Sequence, residues 1–261
     1  MAYGGTLCGI GKFDGGGARD HAPRAGITTP GRAVGAQLPA SDRRASGLPA
    51  RRRHLFRGDH GTYPDRLAQQ RPPQIDALDG TEELVTVTVG GNDVGYVPFL
   101  VAASLPRILH ALPVVGRALD ALLDPNKRKE ACAVIGKSLR AVGEQVRDRS
   151  PRARVIFVDY LSLLPPEGQP APPYTLQQST TGHRIAAALA AATAEAAQAA
   201  GCEIVHASTA SADHHAWSAR PWTTRPAIPW PWRPAPLHPN EDGMTAVADL
   251  VVALLNAASN D

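Results

Sequence analysis

The amino-acid sequence predicts an α/β fold in which a parallel β-sheet is covered by helices. Short apolar runs alternate along the chain with longer segments of helical period, and one run, Arg154 to Tyr160, is apolar almost throughout. Continuous apolar strands are typical of parallel sheets whose two faces are both buried. With 261 residues, the chain is long enough for one such domain.

Residues 1–70 differ in composition from the rest of the chain. They hold 11 lysines and arginines against 5 acidic residues, and only 10 of them are Leu, Ile, Val or Phe. Such a segment buries too little apolar surface to offset the entropy of ordering it. We find no strand or helix period before about residue 67, so we expect residues 1–70 to be disordered and residues 71–261 to form the domain.

The second part of the chain contains the predicted strands and helices. Strands are expected at 84–89, 154–160 and 202–206. Helices are expected at about 127–148, 177–200 and 241–257, where apolar residues recur at helical spacing and Gly201 is suited to end the second helix. This alternation implies right-handed crossovers between parallel strands, and ligands bind at the carboxyl ends of such strands.

Cysteine content and hydropathy argue against several kinds of site. Cys8, Cys132 and Cys202 lack the spacing of a metal site, and their odd number argues against a disulfide framework. We also expect no metal and no cofactor. No segment reaches the roughly 18 uninterrupted apolar residues of a membrane helix. No secretory signal is visible in the chain as given, and both a cytoplasmic and a secreted location remain open.

The first predicted strand ends in a motif suited to chemistry, Gly90-Gly91-Asn92-Asp93. The glycines permit a tight turn and a narrow corner that a ligand can approach, and Asn92 offers a neutral amide donor suited to a developing oxyanion. Asp93 is expected to brace the turn. The alternative is an ordinary strand-end turn in which Asn and Asp bond their own backbone.

A second motif, Pro236-Leu-His-Pro-Asn240, precedes the last predicted helix. Its proline and asparagine fix the turn and help to start the helix, so His238 is held on a short loop. Of nine histidines, His238 is therefore the best placed for proton transfer.

At these two motifs the chain resembles the SGNH hydrolases, also called the GDSL esterase/lipase family, of the actinobacterial type. In that family a Gly-x-Asn-Asp block supplies an oxyanion asparagine, and a late His-Pro-Asn block supplies the general base. The resemblance covers residues 72–258 and implies a flavodoxin-like three-layer α/β/α sandwich, with Asn92 as oxyanion donor and His238 as base. It also implies an ester hydrolase that works through an acyl-enzyme on a small-molecule substrate, either a short acyl ester or an acylated carbohydrate.

The chain departs from the family's pattern at two places. The aspartate often found three residues before the histidine is Ala235 here, so we expect the Ala235 carbonyl to orient the ring, with Asp213 as an alternative. The nucleophile turn, Gly-Asp-Ser or Gly-Ser-Ser, is missing from residues 1–70, as is the glycine of the second block. Without its serine a hydrolase forms no acyl-enzyme, so we expect an inactive chain with its first strand lost. A non-catalytic, ligand-binding pseudo-hydrolase is the competing class.

Residues 1–70 have two interpretations. When permissible codons are read one base later, 13–20, 37–41 and 51–66 can spell, in order, segments typical of the family's beginning. We therefore hypothesise that this part of the chain is translated out of frame. The alternative is a genuine basic arm that binds nucleic acid through Arg51-Arg52-Arg53.

The sequence also predicts roles for three further segments. Residues 217–232 contain four tryptophans and are expected either to wall an apolar acyl pocket or to pin their own loop to the core. Residues 96–123 resemble an insertion that covers the site as a lid. The charge run at 127–129 is expected to be a solvated helix start.

Overall fold

A computed structural model describes residues 10–14, 53–54, 74–227 and 235–257. Within these residues one sheet has the strand order β2-β1-β3-β4-β5. Its strands are β1 (Ile10–Asp14), β2 (Arg53–His54), β3 (Glu82–Val87), β4 (Arg154–Val158) and β5 (Glu203–Val205).

The helices pack on both faces of this sheet. They are α1 (Tyr96–Ser104), α2 (Arg107–His110), α3 (Pro113–Leu123), α4 (Pro125–Arg149), α5 (Leu176–Ala199), α6 (Ala207–Ala210) and α7 (Glu241–Ala257), with 3₁₀ turns at Gln74–Ala77 and Ala212–His214. Val85 and Phe157 belong to a core shared with α1, α4 and α5. Their strand neighbours Leu84 and Ile156 point the opposite way, into a second core shared with α7.

Strands β3, β4 and β5 are parallel. Leu84 lies opposite Arg154 in the first pair, and Ile156 lies opposite Glu203 in the second. The parallel sheet with helices on both faces confirms the α/β prediction, and the near-continuous apolar sequence of β4 is explained because residues 155–158 are all buried.

Strand β3 begins at Glu82, two residues earlier than predicted, and the side chain of Glu82 has a structural role. Its side chain is buried, and the carboxylate accepts hydrogen bonds from the backbone N–H groups of Asp79 and Gly80, both at 2.9 Å, and from Ser150 Oγ at 2.6 Å. A buried carboxylate is stable only when it is paired in this way. Glu82 thus fastens the start of β3 to the end of α4.

The long helices follow the prediction closely. Thr175 and Gln178 form a reciprocal capping box at the start of α5. Gly201 takes a positive φ of 63° just beyond its end, as expected of a residue that closes a helix. The segment predicted as an insertion, 96–123, forms the three helices α1, α2 and α3.

The prediction of no strand before residue 67 is wrong for β1 and β2. β1 pairs with β3 in the antiparallel sense, with Ile10 opposite Val87 and Asp14 opposite Glu82. The composition of this segment did not predict a strand. The edge of β3 presents unpaired backbone N–H and C=O groups, and a five-residue segment of almost any sequence can pair with them through its own backbone.

The position beside β3 is therefore filled, although we expected the first strand to be lost, and the strand that fills it runs against the parallel ones. The other predictions for residues 1–70, including the basic triplet apart from Arg53, lie outside the described residues.

Candidate active site

The loop after β3 forms a compact turn that carries Asn92. Backbone hydrogen bonds close it from Val94 N to the Gly90 carbonyl at 3.0 Å and from Tyr96 N to the Gly91 carbonyl at 2.8 Å. Gly90 has a φ of 100°, which favours glycine. Asn92 itself is half-buried at this turn, and its carbonyl accepts from Gly95 N at 3.0 Å.

Gly91 is buried against the ring of Tyr160, the second residue after β4. The Gly91 N–H donates to Tyr160 Oη at 3.1 Å, and a Cβ added at Gly91 would lie 2.5 Å from Tyr160 Cζ. Sequence reasoning expected a ligand at this narrow corner; the structure places a tyrosine of the chain there. Tyr160 was missed because its partner lies 69 positions away and no local pattern marks it.

Arg128 contacts the later residues of the same turn, Val94 and Gly95. Its Nη1 donates to the Val94 carbonyl at 3.2 Å, and its guanidinium lies against Gly95, which has a φ of 70°. Lys127 and Lys129 are exposed, but Arg128 is half-buried. The expectation of a wholly solvated charge run is therefore wrong at Arg128.

Asp93 is an exposed residue of the turn. Partial loss of hydration raises the pKa of its carboxyl, while a hydrogen bond with its own backbone lowers that pKa by less. Its expected bracing role stays a prediction.

His238 lies in the loop before α7, and its ring is oriented by the main chain. Nδ1 is 2.9 Å from the Pro236 carbonyl oxygen. A carbonyl can only accept, so Nδ1 carries the proton in the neutral ring and Nε2 carries the lone pair that a general base needs. The backbone N–H of His238 donates to Thr224 Oγ1 at 3.2 Å.

The carbonyl that contacts the ring belongs to Pro236 and not to Ala235, as we had expected. Leu237 adopts a left-handed φ of 60° and is buried, and this turn brings the Pro236 carbonyl back toward the imidazole. The Ala235 carbonyl instead accepts from Thr224 Oγ1 at 2.8 Å. Positive φ in a bulky residue is costly and is retained where surrounding structure enforces it, often at functional sites.

Asp213, the alternative partner, acts on another histidine. Its charge favours the protonated form of His215, whereas burial, the larger effect, lowers the pKa of that ring. Nδ1 of His215 also accepts a hydrogen bond from Trp217 N at 3.2 Å.

Asn240 starts α7, as the sequence indicated. Its Oδ1 accepts from Gly243 N at 2.8 Å, and its Nδ2 donates to the Pro221 carbonyl at 2.6 Å. Asn240 therefore caps the helix and also ties the His238 loop to the segment at 221–224. A β-bridge between Pro239 and Thr223 joins the same two segments.

Asn92 and His238 lie at the same edge of the sheet. Arg154, at the start of β4, donates to the carbonyl of Leu255 near the end of α7 at 3.2 Å. Helix α7 thus runs against the parallel strands, so its first residues and the His238 loop lie at their carboxyl ends. The Asn92 turn follows β3 at that edge.

A cavity of about 270 Å³ opens at this edge beside Tyr160. One wall is the small-residue face of α5, and the opposite wall comes from the segments after β4 and β5. The lining residues are Tyr96, Tyr160, Leu161, Ser162, His183, Ala186, Ala187, Ala190, Ser208 and Thr209. His183 brings a second imidazole to this edge, which the sequence had not singled out.

Three serines at this edge, Ser162, Ser208 and Ser211, have structural hydrogen bonds. Ser208 donates through Oγ to the buried carboxylate of Asp159 at 2.7 Å, and its N–H donates to the same group at 2.7 Å. Ser162 Oγ donates to the Ser208 carbonyl at 2.8 Å, and Ser211 Oγ donates to the Ala207 carbonyl at 2.7 Å. These contacts build the loops and leave the nucleophile unassigned.

The two described tryptophans of the 217–232 segment pack against the protein. Trp217 meets Tyr174 edge to face with ring centroids 5.8 Å apart, and its Nε1 donates to the Pro172 carbonyl at 3.1 Å. Trp222 stacks on His214 at 4.1 Å. These contacts pin the loop; Trp230 and Trp232 lie outside the described residues.

The described cysteines are partly buried, and the described residues offer neither a metal site nor a membrane-spanning helix. Burial raises the pKa of the thiols of Cys132 and Cys202, while Cys8 lies outside the described residues. In the described part of the chain, no group of three His, Cys, Asp or Glu side chains is placed to hold a metal ion. No described helix combines the length and apolar character needed to cross a bilayer.

Comparisons with known proteins identify the fold and the family. An extracellular lipase from Streptomyces rimosus is similar in structure, with a TM-score of 0.56 and 22% identity over 74% of this chain and 75% of that chain. A phospholipase A1 from Streptomyces albidoflavus NA297 has a TM-score of 0.54 and 22% identity over 74% of each chain. Comparison with curated sequences gives no match. The family model of the GDSL-like lipases and acylhydrolases matches residues 15–246, and the chain therefore belongs to the GDSL-like lipase/acylhydrolase family.

Proposed function

We propose that this chain is the scaffold of a serine-type carboxylic ester hydrolase in which Asn92 is the oxyanion donor and His238 the general base. The observation that carries this proposal is the state of the His238 ring, whose Nδ1 faces the Pro236 carbonyl at 2.9 Å. The ring is thereby oriented without an aspartate, and Nε2 has the lone pair that proton transfer requires.

In an intact enzyme of this design, a serine Oγ attacks the ester carbonyl carbon while its proton passes to His238 Nε2. The carbonyl oxygen becomes an oxyanion that accepts a hydrogen bond from the Asn92 amide. The tetrahedral intermediate then expels the alcohol, which takes the proton from His238. A water molecule then attacks the carbonyl carbon of the acyl-enzyme, with His238 taking its proton and passing it to the serine oxygen. This second half releases the carboxylic acid and restores the serine.

The substrate we propose is a short acyl ester or an acylated carbohydrate. A cavity of about 270 Å³ beside Tyr160 is small for a ligand site, and the alanines of its α5 wall offer an apolar surface to a short acyl group. No step of this chemistry needs a metal or a cofactor.

We further propose that the chain as written does not turn over. Strand β1 runs from Ile10, opposite Val87, to Asp14, opposite Glu82. Its last residue therefore lies at the edge of the sheet away from Asn92. A nucleophile turn at the end of a first strand parallel to β3 would lie at the Asn92 edge, so β1 does not replace that strand.

The test is an esterase assay on p-nitrophenyl acetate and p-nitrophenyl butyrate with two proteins, the chain as written and a chain in which the segment 1–70 is restored in the alternative frame. We expect turnover from the restored chain alone. Replacing Asn92 by Ala in that protein should lower kcat by about a hundredfold to a thousandfold. Turnover by the chain as written, if abolished by a serine substitution, would show a nucleophile that we have not assigned.

The nucleotide sequence of the gene tests the frame hypothesis separately. We expect the bases that encode 13–20, 37–41 and 51–66 to read as the family's segments one base later. If they cannot be read in that way, residues 1–70 are a true translation, and a non-catalytic ligand-binding pseudo-hydrolase becomes the better account. The hydroxyl contacts of Ser162, Ser208 and Ser211 favour that second function in the chain as written.

A further inference from the structure

The tip formed by α2 and the start of α3 exposes an unusual amount of apolar surface. Six large hydrophobic side chains are strongly exposed among the described residues, and four of them lie within 108–115. They are Ile108 at 73%, Leu112 at 44%, Val114 at 82% and Val115 at 41%. We call these four residues the apolar tip. Clustered exposed apolar side chains mark interaction sites, whereas single ones need no explanation.

The apolar tip belongs to a well-formed helical hairpin. Gly116 packs against the His110 carbonyl so closely that a Cβ would overlap it, and its N–H donates to the Leu112 carbonyl at 2.7 Å. Leu119, one turn farther along α3, is buried. Helix α3 therefore has an inner side that packs on the protein, and the exposed side chains lie on its outer side.

Within residues 94–119, the segment that carries the apolar tip, the formal charges are all positive. Between Asp93 and Asp120 the sequence has no acidic residue, and its formal charges are those of Arg107 and Arg117, both of which are exposed. The rest of the domain differs, since residues 71–261 hold 16 basic and 19 acidic residues. Exposed aliphatic side chains flanked by arginines suit the boundary between the headgroups and acyl chains of an anionic lipid layer.

The same charges disfavour a second copy of the chain as the occupant. In a two-fold dimer the same surface lies on both sides of the interface, so the patch that carries Arg107 and Arg117 would face the same positively charged patch of the second copy. An anionic lipid surface instead complements both the charge and the apolar character of the tip.

We infer that the apolar tip docks the protein on anionic lipid surfaces. Helix α1, nine residues or about 13 Å long, joins the tip directly to the turn that carries Asn92. Docking therefore places the candidate site close to the lipid layer, and short acyl esters presented at that layer become the substrates. This use of the tip rests on the proposed ester hydrolase function, whereas the docking itself does not.

The test is co-sedimentation of the full chain with two kinds of vesicle, phosphatidylcholine alone and an equal mixture of phosphatidylcholine and phosphatidylglycerol. We expect binding to the mixed vesicles that weakens as salt is raised. The double substitution Ile108→Ser with Val114→Ser should reduce this binding by about tenfold or more, because it removes two aliphatic side chains from the docked surface. Arg107→Gln with Arg117→Gln should reduce binding to the mixed vesicles and leave binding to the vesicles of phosphatidylcholine alone unchanged.

The matched control is Val134→Ser with Leu176→Ser, which removes two side chains of similar exposure, 61% and 65%, elsewhere on the domain. This control should bind as the parent does. Unchanged binding of the tip variant would overturn the inference and assign the attraction to the basic segment 1–70. A dimer by light scattering that the tip substitutions dissolve would also overturn it. Binding needs no nucleophile, so failure of hydrolysis leaves this result intact.

Discussion

The phenol of Tyr160 holds the backbone of Gly91, with a distance of 3.1 Å between Tyr160 Oη and the Gly91 nitrogen. This contact joins the segments that follow β3 and β4, at the edge where Asn92 and His238 both lie. Arg128 holds the same turn through the Val94 carbonyl at 3.2 Å. The turn that presents Asn92 is thus held at two of its residues by side chains distant in sequence, which is the support that the proposed oxyanion donor would require.

Substitution of Tyr160 by Phe tests the hydrogen bond alone. The ring remains in place, but the buried Gly91 N–H loses its acceptor, so the free energy of unfolding should fall by about 1 to 3 kcal/mol in urea denaturation. In the restored enzyme kcat should also fall, because Asn92 is held less firmly.

The control for Tyr160→Phe is Tyr174→Phe. The Tyr174 hydroxyl is buried and has no hydrogen-bond partner among the described residues. Its removal should be neutral or stabilising. Equal destabilisation by the two substitutions would contradict the role that we assign to Tyr160.

Substitution of Gly91 by Ala tests the close approach of the ring. The new Cβ would lie 2.5 Å from Tyr160 Cζ, so either the ring or the turn must move. We expect a loss of about 1 to 3 kcal/mol in the free energy of unfolding, typical of overpacking. Gly136→Ala in α4 is the matched control, since a Cβ there meets nothing within 4 Å and alanine favours helix by about 1 kcal/mol. A stable Gly91→Ala protein would show that the ring yields easily.

Much of the fold could be predicted because local patterns determine it. The apolar run of β4 predicted a strand buried on both faces, and the helical periods predicted α4, α5 and α7 to within a few residues. The reversed strand β1 could not be predicted, because it depends on pairing with β3 across many intervening residues.

The residues of the candidate site also fall into two groups, those that a local motif predicts and those that depend on contacts distant in sequence. Asn92, His238 and the cap at Asn240 stand in short motifs whose turn chemistry is local, and their motifs predicted the edge on which they lie. Tyr160 and Arg128 act across 69 and 34 positions, and no motif marks them. The carbonyl partner of His238 was assigned one residue too early because the left-handed φ of Leu237 is invisible in the sequence.

The rings of His238 and His215 should have opposite tautomers. Nδ1 of His238 faces a carbonyl oxygen and must donate, whereas Nδ1 of His215 faces the N–H of Trp217 and must accept. Nitrogen-15 chemical shifts above the titration range should therefore show His238 protonated on Nδ1 and His215 protonated on Nε2. Protonation of His238 on Nε2 in the neutral ring would remove the basis for Nε2 of His238 as the base.

Acidification should destabilise the protein through His215. Burial lowers the pKa of this ring below the ordinary histidine value of 6.5, against the smaller opposing effect of Asp213. Below that value the unfolded chain binds a proton that the folded ring resists, so the stabilising contribution is present above pH 6.5 and is lost as the pH falls toward the folded pKa. Urea midpoints measured between neutral and mildly acidic pH should fall accordingly. His215→Asn, whose amide oxygen can accept from Trp217 N, should fold and lack this part of the pH dependence; an identical pH profile in that variant would assign the effect to another group.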